Sequence, residues 1–343
     1  MKVAVVTDKP RFEILPTEEG IMEDKQKKKT IKGIKEVLSK KFNCIDLVFD
    51  ENLISKLKKE KVDLVFNLCN GIKGDARLSQ LPAALEYAGI PYTSSSPLGH
   101  GLAYNKIYSC KLFQEAKIPT PKFTHVYNIE EIKNLNVDYP VLVKPKDEGS
   151  SRGIHENSLV FNGDELVEKI KEDLKIYNPP IMITEYIEGR ELTVGVLGNG
   201  NNLTVLPILE VDFSNLPDYL NNIYSFEVKF HYGDKTLFHI PAKLTRETKK
   251  RIEKVALKAY NALGMRDYAR VDIRLKDNIP YVLEINSLPG LMKGHSDLTK
   301  MAEASRLGYN GLIMKIVNSA INRYYSKDEL KYKTVQKKDL LKG

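Results

Sequence analysis

The sequence predicts an α/β protein whose C-terminal half is better described as α+β. Over about the first hundred residues, short apolar runs alternate with helical stretches, which is typical of a parallel sheet with crossover helices. Further along, apolar runs follow one another through Gly, Asn and Asp turns, which favours antiparallel hairpins. With 343 residues, the chain is long enough for two or three compact lobes.

The N-terminal elements alternate between predicted strands and predicted helices. The apolar runs at 1–8, 44–50 and 62–68 are predicted strands, and 29–41 and 51–61 are predicted amphipathic helices. The segment 89–97 ends this lobe.

The remaining elements follow the same rules. Pro119 and Pro121 indicate a turn within 118–126. The polar, aperiodic segment 216–233 is predicted to be a long loop, of the kind that serves as a lid. The other predicted elements are helices at 105–116, 163–173, 245–263 and 307–326, strands at 139–144 and 181–187, a Gly/Ser loop at 148–154, and hairpins at 191–211 and 268–286. The residues from 327 onward are predicted to be frayed.

Composition excludes several classes of protein. Hydrophobic residues make up 42% and charged residues 29%, as in ordinary globular proteins. No apolar run is long enough to cross a bilayer and the N-terminus lacks a secretory signal, so we expect a cytoplasmic protein without a membrane partner. Three cysteines without C-x-x-C spacing argue against a disulfide framework or a zinc site. The net charge of +8 comes from scattered lysines without a nucleic-acid motif, so no nucleic-acid partner is expected.

A predicted hairpin near the C-terminus brings acidic side chains together. Asp272 shares one face of its strand with Arg270, while Val271, Ile273 and Leu275 point the other way. Glu284 and Asn286 share a face of the next strand, with Tyr281, Leu283 and Ile285 expected behind them. An Asp-Asn turn within 276–280 can place Asp272 opposite Glu284. Two carboxylates and an amide oxygen on rigid strands suit Mg²⁺, although solvated acids on an exposed strand pair would show the same pattern.

Phosphate contacts are predicted in the middle of the chain. Lys144 ends an apolar strand and shortly precedes D-E-G-S-S-R-G-I, where glycines allow successive N–H groups to face an anion. Ser150 and Ser151 add hydroxyl donors, and Lys106 is a second candidate phosphate contact. An ordinary hairpin tip and surface lysines remain the alternative. Neither a Walker A loop nor a G-x-G-x-x-G fingerprint is present, which argues against kinases and dehydrogenases.

With these residues assembled, the chain resembles the D-alanine–D-alanine ligase family of the ATP-grasp superfamily from about residue 62 to about residue 317. The resemblance depends on the order and spacing of six blocks, which lie at 65–97, 105–121, 141–154, 185–198, 269–291 and 295–309. It implies an N-terminal substrate lobe at 1–100, a central ATP-grasp lobe at 101–188, a C-terminal ATP-grasp lobe at 189–326 and a tail at 327–343. ATP is expected between the central and C-terminal lobes.

The resemblance also implies roles for individual residues. Arg270 would stabilise the transition state, with Ser150 and Lys229 as further catalytic residues, and Asp272, Glu284 and Asn286 would hold two Mg²⁺ ions that Mn²⁺ could replace. ATP would contact Lys106, Lys144, Glu148, Ser150, Ser151, Gly153, Glu185, Tyr186, Ile187, Glu191 and Lys229. Gly290 and Ser296 would bind the carboxylate of the second substrate. The family further implies amino acid substrates, a homodimer and a role in peptidoglycan assembly.

Three departures from the family concern substrate binding. The glycine-rich loop whose glutamate grips the first substrate is not recognisable within 9–23, and Glu18, Glu19 or Glu23 could replace that glutamate. Asn70 stands where the family has histidine. Phe230 stands where the family has a lid tyrosine. In the family, Phe at this position accompanies hydroxy-acid acceptors, although a simple packing difference in the lid would explain it equally well.

The sequence therefore predicts an ATP-dependent ligase that forms D-alanyl-D-alanine or a close analogue through an acyl phosphate. Two alternatives stay open at this point. One is an ATP-grasp ligase with another acceptor, either a hydroxy acid or a different amino acid. The other is a nucleotide-binding protein without catalytic activity.

Overall fold

The computed structural model describes residues 1–10, 13, 18–149 and 151–325, without the side chains of residues 18–20, 22 and 23. The strands are β1 Lys2–Thr7, β2 Asn43–Val48, β3 Leu64–Asn67, β4 Phe123–Val126, β5 Val141–Pro145, β6 Leu159–Val160, β7 Ile181–Glu185, β8 Arg190–Leu197, β9 Thr204–Val205, β10 Leu209–Asp212, β11 Leu237–His239, β12 Tyr268–Lys276 and β13 Ile279–Asn286. The helices are α1 Glu18–Leu38, α2 Leu53–Lys59, α3 Gln80–Tyr87, α4 Pro97–Tyr104, α5 Lys106–Glu115, α6 Gly163–Ile176, α7 Phe226–Phe230, α8 Arg246–Ala262, α9 Asp297–Glu303 and α10 Gly308–Tyr324.

The N-terminal sheet is parallel, as predicted, with strand order β2-β1-β3. Every residue from Val3 to Thr7 is buried, because β1 is the central strand and is covered on both faces. Val3 and Ile34 share one apolar core with Ile316 of α10 and Leu298 of α9. The N-terminal sheet is therefore packed directly against the C-terminal part of the chain.

The middle sheet is antiparallel, with strand order β4-β7-β5-β6. Strand β4 pairs with β7 in a segment where only a proline turn was predicted. Helix α6 covers this sheet and begins at an Asn162 side chain that accepts a hydrogen bond of 3.0 Å from Glu165 N. Strand β5 ends with Lys144 and Pro145, so Lys144 lies at the end of an inner strand of this sheet.

The C-terminal sheet has the order β11-β10-β8-β12-β13, with β9 paired to β8. Its apolar face is covered by α8, whose buried Ile252, Ala256 and Tyr260 share a core with Val271 and Ile285. The opposite face of β12 carries the polar residues of the predicted hairpin. The amphipathic pattern of α8 and the period of two in β12 thus point this polar face away from the core.

Several elements differ from the prediction. Helix α1 begins at Glu18, well before the predicted start at residue 29. The predicted lid segment 216–233 includes the short helix α7, and α3, α4 and α9 were not predicted. These four helices are short, and their apolar residues face neighbours that are distant in sequence. The lobe boundaries stay a prediction.

Two predictions about composition can be compared with the structure. The three cysteines are free thiols, with Cys69 and Cys110 buried. Among the residues that the structure covers, no helix is both long and apolar enough to span a bilayer.

Candidate active site

Strands β12 and β13 bring the predicted metal ligands together. Asp272 is paired with Glu284 and Arg270 with Asn286 across the antiparallel ladder, as expected from the sequence. Asp277 and Asn278 form the connection with φ values of 50° and 61°, which is the backbone of a two-residue type I′ turn. Asn286 Nδ2 lies 2.8 Å from Asp272 Oδ2 and 3.2 Å from Glu284 Oε1.

A β-bulge corrects one detail of the predicted hairpin. The register shifts between Asp272 and Ile273, so that Ile273 pairs with Val282 and Leu283 is the extra residue. Val282 is therefore in the core, whereas Leu283 lines a cavity instead of packing behind the sheet. The predicted alternation of Tyr281, Leu283 and Ile285 was wrong at this point, because a bulge changes which face the residues before it occupy.

Arg270 is held rigidly beside Asp272. Its Nε and Nη2 atoms donate to the two carboxylate oxygens of Asp272 at 2.8 Å each, and Thr193 Oγ1 donates to Oδ1 at 2.6 Å. Burial opposes the charged guanidinium, but Asp272 and Asp297 outweigh it and raise the pKa of Arg270. The remaining terminal nitrogen, Nη1, points toward Asp297 at 3.5 Å. Arg270 is thus a permanently charged donor in a defined orientation.

Glu284 is a partly buried carboxylate among cations. Burial by itself would raise the pKa of Glu284, but Lys106, Lys144 and Arg270 lower it to about 2. Lys106 Nζ lies 3.6 Å from Glu284 Oε2. The Glu284 side chain is therefore ionised at neutral pH, as a ligand for a hard cation must be.

The donor set of this hairpin fits Mg²⁺ when it is bound together with ATP. Two carboxylates and one amide are hard oxygen ligands, and Mg²⁺ usually takes one or two carboxylates, waters and substrate phosphates. Within the described residues, no group of three or more His, Cys, Asp or Glu side chains is arranged to hold a metal ion. An all-protein cage is therefore not the arrangement present, and phosphate oxygens would have to complete the coordination.

Two adjoining cavities open around the hairpin. The first lies between the middle and C-terminal sheets and is lined by most of the residues that the family resemblance assigned to ATP, namely Lys106, Lys144, Glu148, Ser151, Glu185, Tyr186, Ile187, Glu191 and Lys229. The second is lined by the residues assigned to substrates, namely Asn70, Phe230, Gly290 and Ser296. Both cavities share Lys106, Lys229, Arg270 and Glu284, so their junction is strongly charged.

Three lysines converge on this junction from different elements. Lys106 is the first residue of α5, placed there by the Asn105 side chain, which accepts a hydrogen bond of 3.1 Å from Ile107 N. Burial lowers the pKa of Lys144 and of Lys229, and for Lys229 the neighbouring Arg270 lowers it further. Anionic phosphates would offset the free-energy cost of keeping Lys144 and Lys229 charged in this buried position.

The Gly/Ser loop lies beside these lysines. Lys106 Nζ donates to the Glu148 carbonyl, and Ser151 Oγ donates to the Tyr224 carbonyl at 2.8 Å. Ser150 lies outside the described residues. Gly153 has φ +74°, and a Cβ there would lie 2.4 Å from the Pro145 ring, so Gly153 serves the close approach of the backbone.

The predicted substrate residues are only partly described. A Cβ on Gly290 would lie 2.7 Å from Ser296 Oγ, which accepts a hydrogen bond of 3.0 Å from Met292 N. Asn70 N donates to the Asp8 carboxylate at 2.7 Å. The Phe230 ring lies against Phe226 with centroids 4.6 Å apart. The side chains of Glu18, Glu19 and Glu23 are outside the described residues, although α1 does contribute Gln26 to the second cavity.

Sequence reasoning missed two buried contacts near the site. Arg274 pairs with Glu191 at 2.7 Å, and burial together with the nearby carboxylates raises the pKa of Glu191 against the effect of Arg274. Arg274 shares the β12 face with Arg270 and Asp272, so the alternation of the strand was a usable signal. His100 Nδ1 lies 2.7 Å from Ser287 Oγ on the wall of the second cavity. No local pattern could link these two residues, because they are 187 positions apart.

Comparisons with known proteins agree with this geometry. A family described as D-ala D-ala ligase C-terminus matches residues 112–318. A protein of Sinorhizobium fredii named uncharacterized protein y4sG is 36% identical over 263 residues, which are 76% of each chain. A D-alanine–D-alanine ligase of Fervidobacterium nodosum is 35% identical over 294 residues, which are 80% of this chain and 87% of that protein. The crystal structure of D-alanine–D-alanine ligase from Bacillus anthracis complexed with ATP superimposes with a TM-score of 0.73 at 25% identity and covers 94% of this chain and 98% of that chain.

Proposed function

We propose that this chain, which belongs to the D-alanine–D-alanine ligase family of ATP-grasp enzymes, forms D-alanyl-D-alanine or a close analogue. The reaction would join the carboxylate of one amino acid to the amine of another, with ATP cleaved to ADP and phosphate. A role in peptidoglycan assembly stays a prediction.

The observation that supports this proposal is the charged junction between the two cavities. The first cavity is lined by Tyr186, Tyr224 and apolar side chains beside its cations, and the second is lined by many polar and charged residues. Lys106, Lys229 and Arg270 belong to both. A phosphoryl group that passes from a nucleotide in the first cavity to a carboxylate in the second would cross the junction.

The residues at the junction have the properties that each step requires. Lys106, Lys144 and Lys229 are placed to neutralise the γ-phosphoryl group as it moves to the donor carboxylate, which gives an acyl phosphate. Asp272, Glu284 and Asn286 would hold Mg²⁺, which would supply positive charge against the phosphates. Arg270 Nη1 can donate to the oxyanion that forms when the acceptor attacks.

Water must be kept from the acyl phosphate, because it would hydrolyse the intermediate. The segment 216–233, which we predicted to be a lid, contributes Tyr224, Lys229 and Phe230 to the cavity walls. It is fastened to the Gly/Ser loop by the bond from Ser151 Oγ to the Tyr224 carbonyl and by one of 2.9 Å from Phe226 N to the Ile154 carbonyl. Closure over both substrates is therefore proposed to involve the lid and the loop as one unit.

The test is a screen of amino-acid and hydroxy-acid pairs for ATP-dependent phosphate release, with the masses of the products. We expect Mg²⁺-dependent release of ADP and phosphate with D-alanine and a product of the mass of the dipeptide. Turnover with other pairs but none with D-alanine would contradict the substrate assignment. Tight binding of Mg-ATP without turnover of any pair would favour a nucleotide-binding protein.

A further inference from the structure

One buried carboxylate in the second cavity has no part in the proposed ATP chemistry. Asp297 is the first residue of α9, is 7% exposed and lines the second cavity. Its Oδ2 lies 3.5 Å from Arg270 Nη1, and its Oδ1 lies 3.6 Å from Lys300 Nζ. Both distances exceed the roughly 2.7–2.9 Å of a charge-assisted hydrogen bond. The neighbouring cations therefore stabilise the charge on Asp297 without forming short hydrogen bonds to its oxygens.

Asp297 lies next to the point where the acceptor must attack. Arg270 gives two of its nitrogens to Asp272 and turns the third, Nη1, toward Asp297. The oxyanion that Nη1 would stabilise is bonded to the same carbon that the nucleophile attacks. A nucleophile at that carbon is thus within reach of the Asp297 carboxylate.

The charges around Asp297 match a zwitterion. Lys300 can face the carboxylate of an acceptor, and Asp297 can face its ammonium group. Burial, together with the nearby cation Lys300, lowers the pKa of His295, so this imidazole is disfavoured as a second positive charge. A hydroxy acid carries no cation and would leave the Asp297 carboxylate unmatched.

Building on the proposed function, we propose that Asp297 binds the ammonium group of the acceptor and accepts its proton, which makes the acceptor an amine and not a hydroxy acid. One proton of the ammonium group passes through the carboxylate to solvent before the attack. The nitrogen lone pair then bonds to the acyl carbon, and the carbon–oxygen bond to phosphate breaks with its electron pair. The proton released from nitrogen passes to Asp297 and on to the departing phosphate, which leaves as hydrogen phosphate.

The test compares nucleophiles in the full-length protein with ATP, Mg²⁺ and the donor identified by the substrate screen. The acceptors are the matching amino acid, its hydroxy-acid analogue and hydroxylamine, which is largely unprotonated at neutral pH and needs little help from a base. The ratio of phosphate release with the amino acid to that with hydroxylamine is expected to fall about 10²-fold or more in Asp297→Asn. Glu303→Gln removes an exposed carboxylate from the same helix as Asp297 but outside both cavities, and its ratio is expected to equal that of the wild type.

The outcomes separate this inference from the proposed function. If Asp297→Asn loses the same factor in rate with the amino acid and with hydroxylamine, Asp297 only orients Arg270 and the inference is overturned. The inference is also overturned if the wild-type protein uses the hydroxy acid as fast as the amino acid. If Asp297→Asn does not fold, Asp297→Glu is used instead, because it keeps the negative charge but moves it. The same ratio is then expected to fall by a smaller factor, and an unchanged ratio overturns the inference. Absence of phosphate release with every nucleophile in the wild type would overturn the proposed function itself.

Discussion

Acid should destabilise the protein through one histidine near the candidate site. His100 is completely buried, with Nδ1 2.7 Å from Ser287 Oγ and Nε2 3.0 Å from Ser94 Oγ. Burial lowers the pKa of His100 from 6.5 to about 3. The unfolded chain therefore binds a proton at this residue more tightly than the folded chain does.

The direction and size of the effect follow from this difference. The contribution of His100 to stability is complete above its unfolded pKa and is lost as the pH falls toward the folded value. Between about pH 7.5 and pH 5, the linkage amounts to about 2 kcal/mol of unfolding free energy. The hydroxyls of Ser94 and Ser287 can serve as acceptors for a protonated ring, so the burial of the charge is the dominant cost.

Denaturant unfolding of the wild type and of His100→Gln at several pH values measures the effect. The remaining titrating groups are the same in both proteins, so the difference between the two unfolding free energies isolates His100. We expect this difference to change by about 2 kcal/mol in favour of the wild type as the pH rises from about 5 to about 7.5. Parallel curves for the two proteins would refute the reasoning, because they would mean that His100 titrates alike in both states.

Three further predictions concern single substitutions. Glu284→Gln is expected to abolish phosphate release, because it removes one of the two carboxylates proposed to hold Mg²⁺; a near-wild-type rate would contradict the metal site. Gly290→Ala is expected to raise the KM of the acceptor roughly 3–10-fold and leave that of ATP unaltered, since the new Cβ displaces Ser296 Oγ from its bond to Met292 N. Arg323→Met is expected to lower the unfolding free energy by about 3–5 kcal/mol, because the fully buried Asp267 would lose its 2.8 Å partner.

Each of these substitutions has a control within the chain. Glu253→Gln, at a half-buried position on α8 away from the hairpin, should retain full phosphate release. Gly200→Ala lies in a turn where a Cβ meets no atom within 4 Å, and it should leave both KM values unaltered. Arg251→Met removes an exposed guanidinium and should change the unfolding free energy by less than about 1 kcal/mol. Equal unfolding free energies of Arg323→Met and Arg251→Met would contradict the stabilising role of the buried pair Arg323 and Asp267.

The predicted helices and strands were most accurate where the apolar pattern was strong and local. The residues of β12 and α8 repeat with a clear period, and β1 is a continuous apolar run; the structure confirms the expected type of element at each. The predicted start of α1 at residue 29 was wrong, because this helix is rich in Lys and Glu and its first turns show little apolar periodicity. The short helices α4 and α9 were missed for a related reason, since their buried faces are defined by contacts with distant segments.

For the candidate site, the sequence alone predicted the donor atoms but not their surroundings. Alternation along two strands and a predicted connection at 276–280 placed Asp272 opposite Glu284, and the structure reaches this pairing through a two-residue turn followed by a bulge. The bulge at Leu283 was visible only in the tertiary structure, where Leu283 lines the first cavity.

The convergence of Lys106 and Lys144 on Glu284 also belongs to the tertiary structure. These residues lie on three elements that are far apart in the chain, and the positive charges of the two lysines, with that of Arg270, outweigh burial and give Glu284 its low pKa. The contacts of Asp297 with Arg270 and of His100 with Ser287 are of the same kind. The sequence by itself determined which chemical groups are present and on which face of β12 they lie, and long-range packing decided which of them meet, because charge and burial act through distance in space and not through distance along the chain.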